Sequence, residues 1–245
     1  MPNTIYIFDV DGTVTPSRQP MDEMFSEFFL DWTIDGDKEV YFASGSDIGK
    51  IRQQLSEEVF ASAAGIFCCL GNQLWQEEKL IYQSTFIPSK AFFRDLQLYL
   101  DQGARYRTRT GNHIESRVGM VNFSVIGRNA TPAQRKAYKQ WDETHLERED
   151  FLEYVTSRYP TIEASIGGEI SVDIYPRGND KSQVIKYLSS MEPESSYIFV
   201  GDMTDPGGND CAVVQAIEKL EGSKWFKVNN WEDTRDLIDS DEAFS

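Results

Sequence analysis

The chain has 245 residues and a hydrophobic content of 40%, enough material for one large globular domain or two smaller ones. Its formal charge of −16, from 40 acidic and 24 basic residues, argues against nucleic acid and anionic membranes as partners over most of the surface. No apolar run approaches the roughly 20 residues of a membrane span, and no signal-peptide core precedes the first strand-like run, so we expect a cytoplasmic protein.

The first predicted element is a strand over 4–9 that ends in two carboxylates one residue apart. Ile5–Phe8 are apolar, Asp9 and Asp11 follow, and Gly12 allows a sharp turn. Because alternate residues of an extended segment point the same way, both carboxylates can face one ligand. A carboxylate can attack phosphorus, and Mg2+ would offset the repulsion between the two anions. The alternative is a strand followed by an ordinary Asp-Gly turn.

Strand-like and helical patterns then alternate at both ends of the chain. The strands are predicted at 4–9, 39–43, 64–70 and 196–200, and the helices at 21–32, 47–56, 180–190 and 209–220. This alternation predicts an α/β fold with a doubly wound, mostly parallel, Rossmann-like sheet.

The middle of the chain has a different pattern. Short two-periodic strands are predicted at 104–109, 112–117, 120–126, 161–166 and 170–175, with helical stretches at 88–101 and 131–159. We therefore expect an α+β domain over 86–175 inserted into a core formed by 1–85 and 176–245. Between Gln102 and Trp141, eight Lys or Arg residues stand against one acid, a local charge of +7. Such a run fits an anion site or a solvated basic face.

Three further segments place polar side chains where strands of the core end. They contribute Ser44 and Ser46 after the second strand, Lys181 at the start of the helix at 180–190, and Asp202, Asn209 and Asp210 after the last strand. Hydroxyls and helix-start N–H groups can bind a phosphoryl oxygen, and a lysine at a helix start is best explained by an anion that it faces. Asp202 is a natural metal ligand that its two neighbours would orient. Each segment alone also fits a helix cap or an ordinary turn.

Taken together, these segments resemble the haloacid dehalogenase (HAD) superfamily of Mg2+-dependent phosphotransferases. The whole chain further resembles the eukaryotic-type α-phosphomannomutase family, through the stretches FDVDGTVTPSRQ, IESRVGMVNFSVIGR, SIGGEISVDIYPRGNDK and GD..DPGGND. The resemblance implies that Asp9 is the nucleophile and Asp11 the general acid and base. It also implies that Lys181 and a hydroxyl, Ser44 or Ser46, contact the transferring phosphoryl group.

The same resemblance implies the cofactor, the substrate and the partner. Mg2+ would be held by Asp9, the backbone carbonyl of Asp11, and Asp202. The family's sugar-phosphate ligands fall on Arg18 and, in the inserted domain, on Arg117, Asn122, Arg128, Arg135, Ser171 and Asp173. The implied reaction interconverts mannose 6-phosphate and mannose 1-phosphate, with a hexose 1,6-bisphosphate as intermediate and activator. A homodimer through the inserted cap domain is also implied, although apolar residues there, such as Phe92 and Leu96, fit the domain's own core better.

The chain departs from the family pattern at several positions. They are Ser44 for a glycine, Leu70-Gly71-Asn72 for Glu-Asn-Gly, Asn179 for a tryptophan, and Met203 and Asp205 in the loop after Asp202. Ala216 and Lys219 stand where the family holds a second cation, so we predict one Mg2+ site only. A mutase is preferred over a Mg2+-dependent sugar phosphatase, which can use the same carboxylates and lysine. A sugar-phosphate-binding protein without activity is less favoured, since binding alone requires no nucleophile.

Overall fold

The computed structural model describes residues 3–84 and 86–240. The chain divides into two compact units: unit 1 comprises Met1–Gln83 and Asn179–Ser245, and unit 2 comprises Ser84–Gly178. The strands are β1 (Thr4–Phe8), β2 (Glu39–Ala43), β3 (Gly65–Cys68), β4 (Gln73–Gln76), β5 (Lys79–Gln83), β6 (Ile114–Arg117), β7 (Met120–Phe123), β8 (Ile162–Gly167), β9 (Ser171–Pro176), β10 (Ser196–Gly201) and β11 (Lys224–Lys227). The α-helices are α1 (Glu23–Asp35), α2 (Ile48–Gln54), α3 (Glu57–Ser62), α4 (Lys90–Leu98), α5 (Pro132–His145), α6 (Glu147–Arg158), α7 (Gln183–Met191), α8 (Cys211–Ile217) and α9 (Trp231–Asp239).

Unit 1 is built on one sheet with the order β11-β10-β1-β2-β3-β4-β5 among the described strands. Strands β11, β10, β1, β2 and β3 pair in parallel, whereas β4 and β5 add an antiparallel edge. The chain leaves β1 toward β2 on one side and returns with β10 on the other. The carboxyl end of β1 is therefore the switch point where open α/β sheets bind ligands.

The apolar run of β1 reflects a strand buried on both faces. Ile5 and Ile7 belong to a core cluster that includes residues of α7 and α8. Tyr6 and Phe8 point to the opposite face, where both rings meet Trp32 of α1 in edge-to-face contacts. Helices thus cover both faces of the sheet, and the predicted doubly wound α/β fold is confirmed.

Unit 2 contains an antiparallel sheet with the order β6-β7-β9-β8 among its described strands. One face of this sheet contributes Val121, Phe123, Val172 and Ile174 to a buried apolar core. Residues of α4, α5 and α6 complete this core, among them the buried pair Phe92 and Leu96. Asn122 of β7 and Ser171 and Asp173 of β9 alternate with these core residues and therefore point away from this core.

One predicted strand of unit 2 is wrong. The segment 104–109 forms no strand. The backbone N–H groups of Arg105 and Tyr106 donate to the carboxylate of Glu147 and therefore need no hydrogen-bond partner in a neighbouring strand. The helical stretch predicted over 131–159 is confirmed and consists of α5 and α6, which are separated at Leu146 by its left-handed conformation with φ of 53°. Among the described helices of both units, none is long and apolar enough to cross a membrane.

Candidate active site

The reactive side chains predicted in the core collect at one edge of the sheet of unit 1. Asp9 follows β1, Ser44 follows β2 and Asp202 follows β10, and β1 lies between the other two strands. Parallel pairing places the carboxyl ends of all three strands on the same edge. Local strand patterns and the pairing order thus bring residues that are up to 193 positions apart to one place.

Lys181 is the fully buried centre of an ion cluster at this edge. Its Nζ donates to Asp9 Oδ1 and, over 2.6 Å, to Asp210 Oδ1. The predicted position of this lysine inside a helix start is wrong, because α7 begins at Gln183 and a turn carries Lys181 instead. The Asp180 carboxylate accepts the Ser182 N–H at 2.8 Å within that turn. The lysine is therefore explained by the two carboxylates that it contacts.

Burial and charge set the protonation states of this cluster. Desolvation raises the pKa of Asp9 to about 7 despite the opposing effect of Lys181, and the nearby Asp210 adds to the rise. Desolvation also raises the pKa of Asp202 well above its usual range, with Asp9 as the next cause. Burial alone would lower the pKa of Lys181, but Asp210 and Asp9 together raise it, so the lysine stays cationic. The carboxylates thus lie where an added cation would be stabilised.

The acidic cluster fits a hard metal ion. Asp9, Asp202 and Asp210 each offer a carboxylate oxygen, and these three oxygens lie within 4.8 Å of one another. Both oxygens of Asp210 already accept hydrogen bonds, one from Lys181 and one from the Met203 N–H at 3.1 Å. Asp9 and Asp202 are therefore the better placed ligands, and oxygen donors of this type suit Mg2+. Asp210 positions the lysine.

Gly12 explains how the Asp202 carboxylate can lie against the turn that follows Asp9. A Cβ atom at residue 12 would stand 2.6 Å from Asp202 Oδ2, closer than the 3.0 Å within which real Cβ atoms essentially never have a neighbour. The φ angle of +84° at Gly12 also favours glycine. The glycine that the sequence predicts as a turn residue therefore also makes room for the Asp202 carboxylate.

Asp11 is held by contacts to three different segments. Its Oδ1 accepts the Arg18 backbone N–H at 2.7 Å and the Gln54 side-chain amide at 3.0 Å. Its Oδ2 accepts the Ser46 hydroxyl at 3.4 Å. Ser44 Oγ instead accepts the Ser46 N–H at 3.0 Å, so Ser44 shapes the loop and Ser46 reaches the carboxylate. Gln54 was not predicted as a site residue, because nothing in the local sequence marks a buried glutamine at a helix end.

Asn209, the remaining predicted residue of this edge, is half-buried in the turn before α8. Its proposed orienting role stays a prediction. By contrast, the neighbouring Asp210 is fully buried and bonded to Lys181.

Several predicted sugar-phosphate ligands of unit 2 lie on or beside the polar face of its sheet. Asn122 and Asp173 are paired between β7 and β9, and the Asn122 amide donates to Asp173 Oδ1 at 2.6 Å. Arg128 donates to the Ser171 hydroxyl. The buried atoms Asn122 Oδ1 and Arg128 Nε accept or donate no hydrogen bond among the described residues. The face therefore retains unused capacity for both a hydrogen-bond donor and an anion.

All three predicted arginines of unit 2 lie near acids, and Arg128 Nε is 3.9 Å from Glu115 Oε2, beyond hydrogen-bond distance. Arg117 donates to Glu115 at 2.6 Å, and its Nη1 lies 4.0 Å from Asp173 Oδ1. Arg135, on α5, donates to Glu169 at 3.0 Å, in the turn between β8 and β9. The +7 segment is thus partly neutralised by internal acids, and Arg117 lies beside the polar face.

The chain matches known proteins over most of its length. Residues 33–240 match the family model described as eukaryotic phosphomannomutase. A probable phosphomannomutase from Caenorhabditis elegans is 32% identical over an alignment that covers 97% of this chain and 94% of that protein. A phosphomannomutase from Saccharomyces cerevisiae is 31% identical, with 85% and 84% covered.

Solved structures show the same fold. The sucrose-phosphatase from Synechocystis has a TM-score of 0.56 at 14% identity, with 98% of each chain covered. A phosphatase of the HAD superfamily from Bacteroides thetaiotaomicron has a TM-score of 0.59 at 14% identity, with 99% of this chain and 95% of that chain covered. The solved structures support the predicted fold, and the family match and the relatives confirm the predicted family and class: the chain belongs to the eukaryotic phosphomannomutase family and is an enzyme.

Proposed function

We propose that this enzyme interconverts mannose 6-phosphate and mannose 1-phosphate through a phosphoryl group carried on Asp9. The observation that carries the proposal is the buried contact of Asp9 with Lys181, which Asp210 holds in turn. A carboxylate nucleophile at phosphorus needs a nearby fixed cation to stabilise the negative charge that develops on the phosphoryl oxygens. Lys181 meets this need without a change of position.

The proposed cycle uses Asp9 and Asp11 twice. Phosphorylated Asp9 gives its phosphoryl group to the free hydroxyl of mannose 1-phosphate, the bond between Asp9 and phosphorus breaks, and Asp11 accepts the hydroxyl proton. The resulting hexose 1,6-bisphosphate reverses its orientation. Asp9 then attacks the other phosphorus, and Asp11 returns the proton to the departing sugar oxygen, which releases mannose 6-phosphate.

Asp9, Asp202 and the backbone carbonyl of Asp11 would hold one Mg2+ ion. When bound, it supplies positive charge that offsets the carboxylates and polarises the phosphoryl oxygens. The raised pKa values of Asp9 and Asp202 support a cation here, because each carboxylate is more stable charged when a positive ion is near. We propose no second ion of the family type, since Ala216 and Lys219 offer no suitable oxygen ligand at the corresponding positions.

Replacement of Gly12 by alanine should weaken Mg2+ activation. The added Cβ would displace the Asp202 carboxylate, so the Mg2+ concentration that gives half-maximal activity should rise about tenfold or more, as expected for a loss of about 1.4 kcal/mol of binding free energy. Gly178→Ala is the matched control, because Gly178 has a similar φ of +82° but no atom within 4 Å of the added carbon. Equal Mg2+ requirements in both variants, measured by metal titration of activity, would show that Asp202 is not a ligand.

We assign residues 1–85 and 176–245 to the catalytic core and 86–175 to the substrate-binding cap. In this assignment the polar face of unit 2 binds the phosphate that is not being transferred, and Arg18 binds sugar phosphate from the core. The unused donor of Arg128 and the unused acceptor of Asn122 support the assignment, because a sugar phosphate offers both an anion and hydroxyl groups.

Arg128→Leu should therefore raise KM more than it lowers kcat. The non-reacting phosphate is bound alike in the ground state and the transition state, so loss of a charge-assisted hydrogen bond should raise KM about 10- to 100-fold. Arg107→Leu is the control, since Arg107 belongs to the same +7 segment but is exposed. Steady-state kinetics with mannose 1-phosphate measure both variants. A change confined to kcat in Arg128→Leu would contradict a binding role.

A coupled assay for mannose 6-phosphate tests the proposed reaction. Mannose 1-phosphate should be converted in the presence of Mg2+, and a trace of hexose 1,6-bisphosphate should remove an initial lag by phosphorylating Asp9. Release of inorganic phosphate without isomerisation would instead identify a sugar phosphatase. Binding of the sugar phosphate without turnover would favour the third possibility, a binding protein.

Of the remaining expectations, the homodimer rests on the family resemblance and the cytoplasmic location on the sequence pattern. We propose a cytoplasmic homodimer that forms through unit 2. Phe92 and Leu96 are buried in the core of that unit and so are not available to the interface. Light scattering after size-exclusion chromatography measures the oligomeric state, and a monomeric mass would contradict the proposal.

A further inference from the structure

Gln54 lies against the carboxylate to which we assign proton transfer, and its contacts fix its orientation. It is the last residue of α2 and is 5% exposed. Its Nε2 donates to Asp11 Oδ1 at 3.0 Å and to Thr15 Oγ1 at 3.1 Å. The Thr15 hydroxyl donates its proton to the Val10 carbonyl at 3.1 Å, so toward Gln54 its oxygen can only accept a hydrogen bond. The amide nitrogen of Gln54, and not its oxygen, must therefore face Asp11.

The two oxygens of Asp11 are consequently unequal. Oδ1 receives two N–H groups, from Gln54 and from the Arg18 backbone at 2.7 Å, which occupy both of its lone pairs. Among residues 3–84 and 86–240, Oδ2 has only the longer contact to the Ser46 hydroxyl, at 3.4 Å. A proton carried by Asp11 thus has no room on Oδ1 and must sit on Oδ2.

We infer that Gln54 is a positioning residue that anchors Asp11 by Oδ1 and so presents Oδ2 as the oxygen that exchanges protons with the sugar. This inference rests on the proposed function, in which Asp11 acts as acid and base. When Asp9 attacks phosphorus in the bisphosphate, the bond from phosphorus to the sugar oxygen breaks. That oxygen takes the proton from Asp11 Oδ2. In the reverse transfer Oδ2 accepts the hydroxyl proton.

The role of Gln54 can be separated from a purely structural one by the choice of phosphoryl donor. A sugar alkoxide is a poor leaving group and needs a proton as it departs, whereas the acetate that leaves acetyl phosphate needs none. Misplacement of Asp11 should slow phosphorylation of Asp9 by the sugar donor and spare phosphorylation by acetyl phosphate. A general defect of the fold would slow both reactions.

The test compares Gln54→Met with wild-type enzyme in the presence of Mg2+, by rapid-quench measurement of Asp9 phosphorylation. With mannose 1,6-bisphosphate the variant should be about 10- to 100-fold slower, as expected for a displaced catalytic group. With acetyl phosphate it should stay within about threefold of wild type, because no proton transfer assists that step. Gln53→Met is the control, since Gln53 is the adjacent residue of the same helix and is exposed. It should match wild type with both donors.

A second variant keeps the inference testable if methionine perturbs the fold. Gln54→Glu retains the shape of the side chain but replaces its donors with an anion beside Asp11, and should show the same selective loss. Equal loss with both donors, or no loss with the bisphosphate, would overturn the inference. If the bisphosphate fails to phosphorylate wild-type enzyme, the proposed mutase function fails instead. The rates of Asp9 phosphorylation by mannose 6-phosphate and by acetyl phosphate, compared in the same rapid-quench measurement, then decide the role of Gln54.

Discussion

Asp9→Asn should abolish turnover while leaving sugar-phosphate binding intact. The amide keeps an oxygen that can accept the hydrogen bond from Lys181, so the buried cluster retains its shape, but an amide cannot replace the carboxylate as nucleophile. We expect kcat to fall by at least about 10⁴-fold, the range seen when a nucleophile is removed. Steady-state assay measures the loss, and calorimetric titration with mannose 1-phosphate measures the retained binding.

Asp205→Asn provides the matched control for this substitution. Asp205 lies in the loop after Asp202, its side chain is 75% exposed, and it pairs with Lys227 at the surface. The same chemical change there should leave kcat within about twofold of wild type, because surface ion pairs contribute little. Substantial turnover by Asp9→Asn would show that another group attacks phosphorus, and the proposed cycle would fail.

Lys181→Met should have the second largest effect, on both stability and activity. The substitution leaves Asp9 and Asp210 buried without their common cation, and breaking a buried ion pair from one side costs about 3–5 kcal/mol of unfolding free energy. Activity should fall as well, because the fixed charge that faces the phosphoryl group is lost. Urea unfolding followed by circular dichroism measures the first effect.

Lys227→Met is the control for Lys181→Met. Lys227 also contacts an aspartate, but both partners are exposed to solvent, so the free energy of unfolding should change by less than about 1 kcal/mol. Similar unfolding curves for the two variants would mean that the buried cluster does not depend on its lysine. The electrostatic argument for the site would then be wrong.

The part of the fold that sequence reasoning predicts well is the part with strong local patterns. The run Ile5–Phe8 is apolar throughout because β1 is buried on both faces, and such a run predicts a central strand directly. Strand β5 carries no such signal, since most of its residues are exposed at the edge of the sheet. The same applies to β11, a four-residue strand with mostly exposed side chains. Neither strand was predicted.

A non-local contact accounts for the wrongly predicted strand of unit 2. The segment 104–109 alternates polar and apolar residues, but its backbone is satisfied by the carboxylate of Glu147, more than 40 positions away. No local pattern reveals a side chain that replaces a strand partner. The break at Leu146 is similarly hidden, because a left-handed leucine has no sequence signature of the kind that glycine or asparagine gives.

The candidate site also contains residues that local patterns predict and contacts that they do not. Asp9, Asp11 and Asp202 are predictable because each follows a strand, and parallel strands bring their carboxyl ends together. The contact between Gln54 and Asp11 joins residues 43 positions apart and depends on how α2 packs. Likewise, one oxygen of Asp210 accepts a hydrogen bond from Lys181 and the other accepts one from the Met203 N–H. The sequence alone does not predict these two contacts.

The most direct test of the central claim is product analysis by phosphorus NMR. Mannose 1-phosphate is incubated with the enzyme, Mg2+ and a trace of mannose 1,6-bisphosphate. The proposed transfer by Asp9 predicts that the signal of mannose 6-phosphate grows at the expense of mannose 1-phosphate while inorganic phosphate stays at the level of the added bisphosphate. Growth of inorganic phosphate without mannose 6-phosphate would contradict it, because the phosphoryl group on Asp9 would then pass to water and not to a sugar.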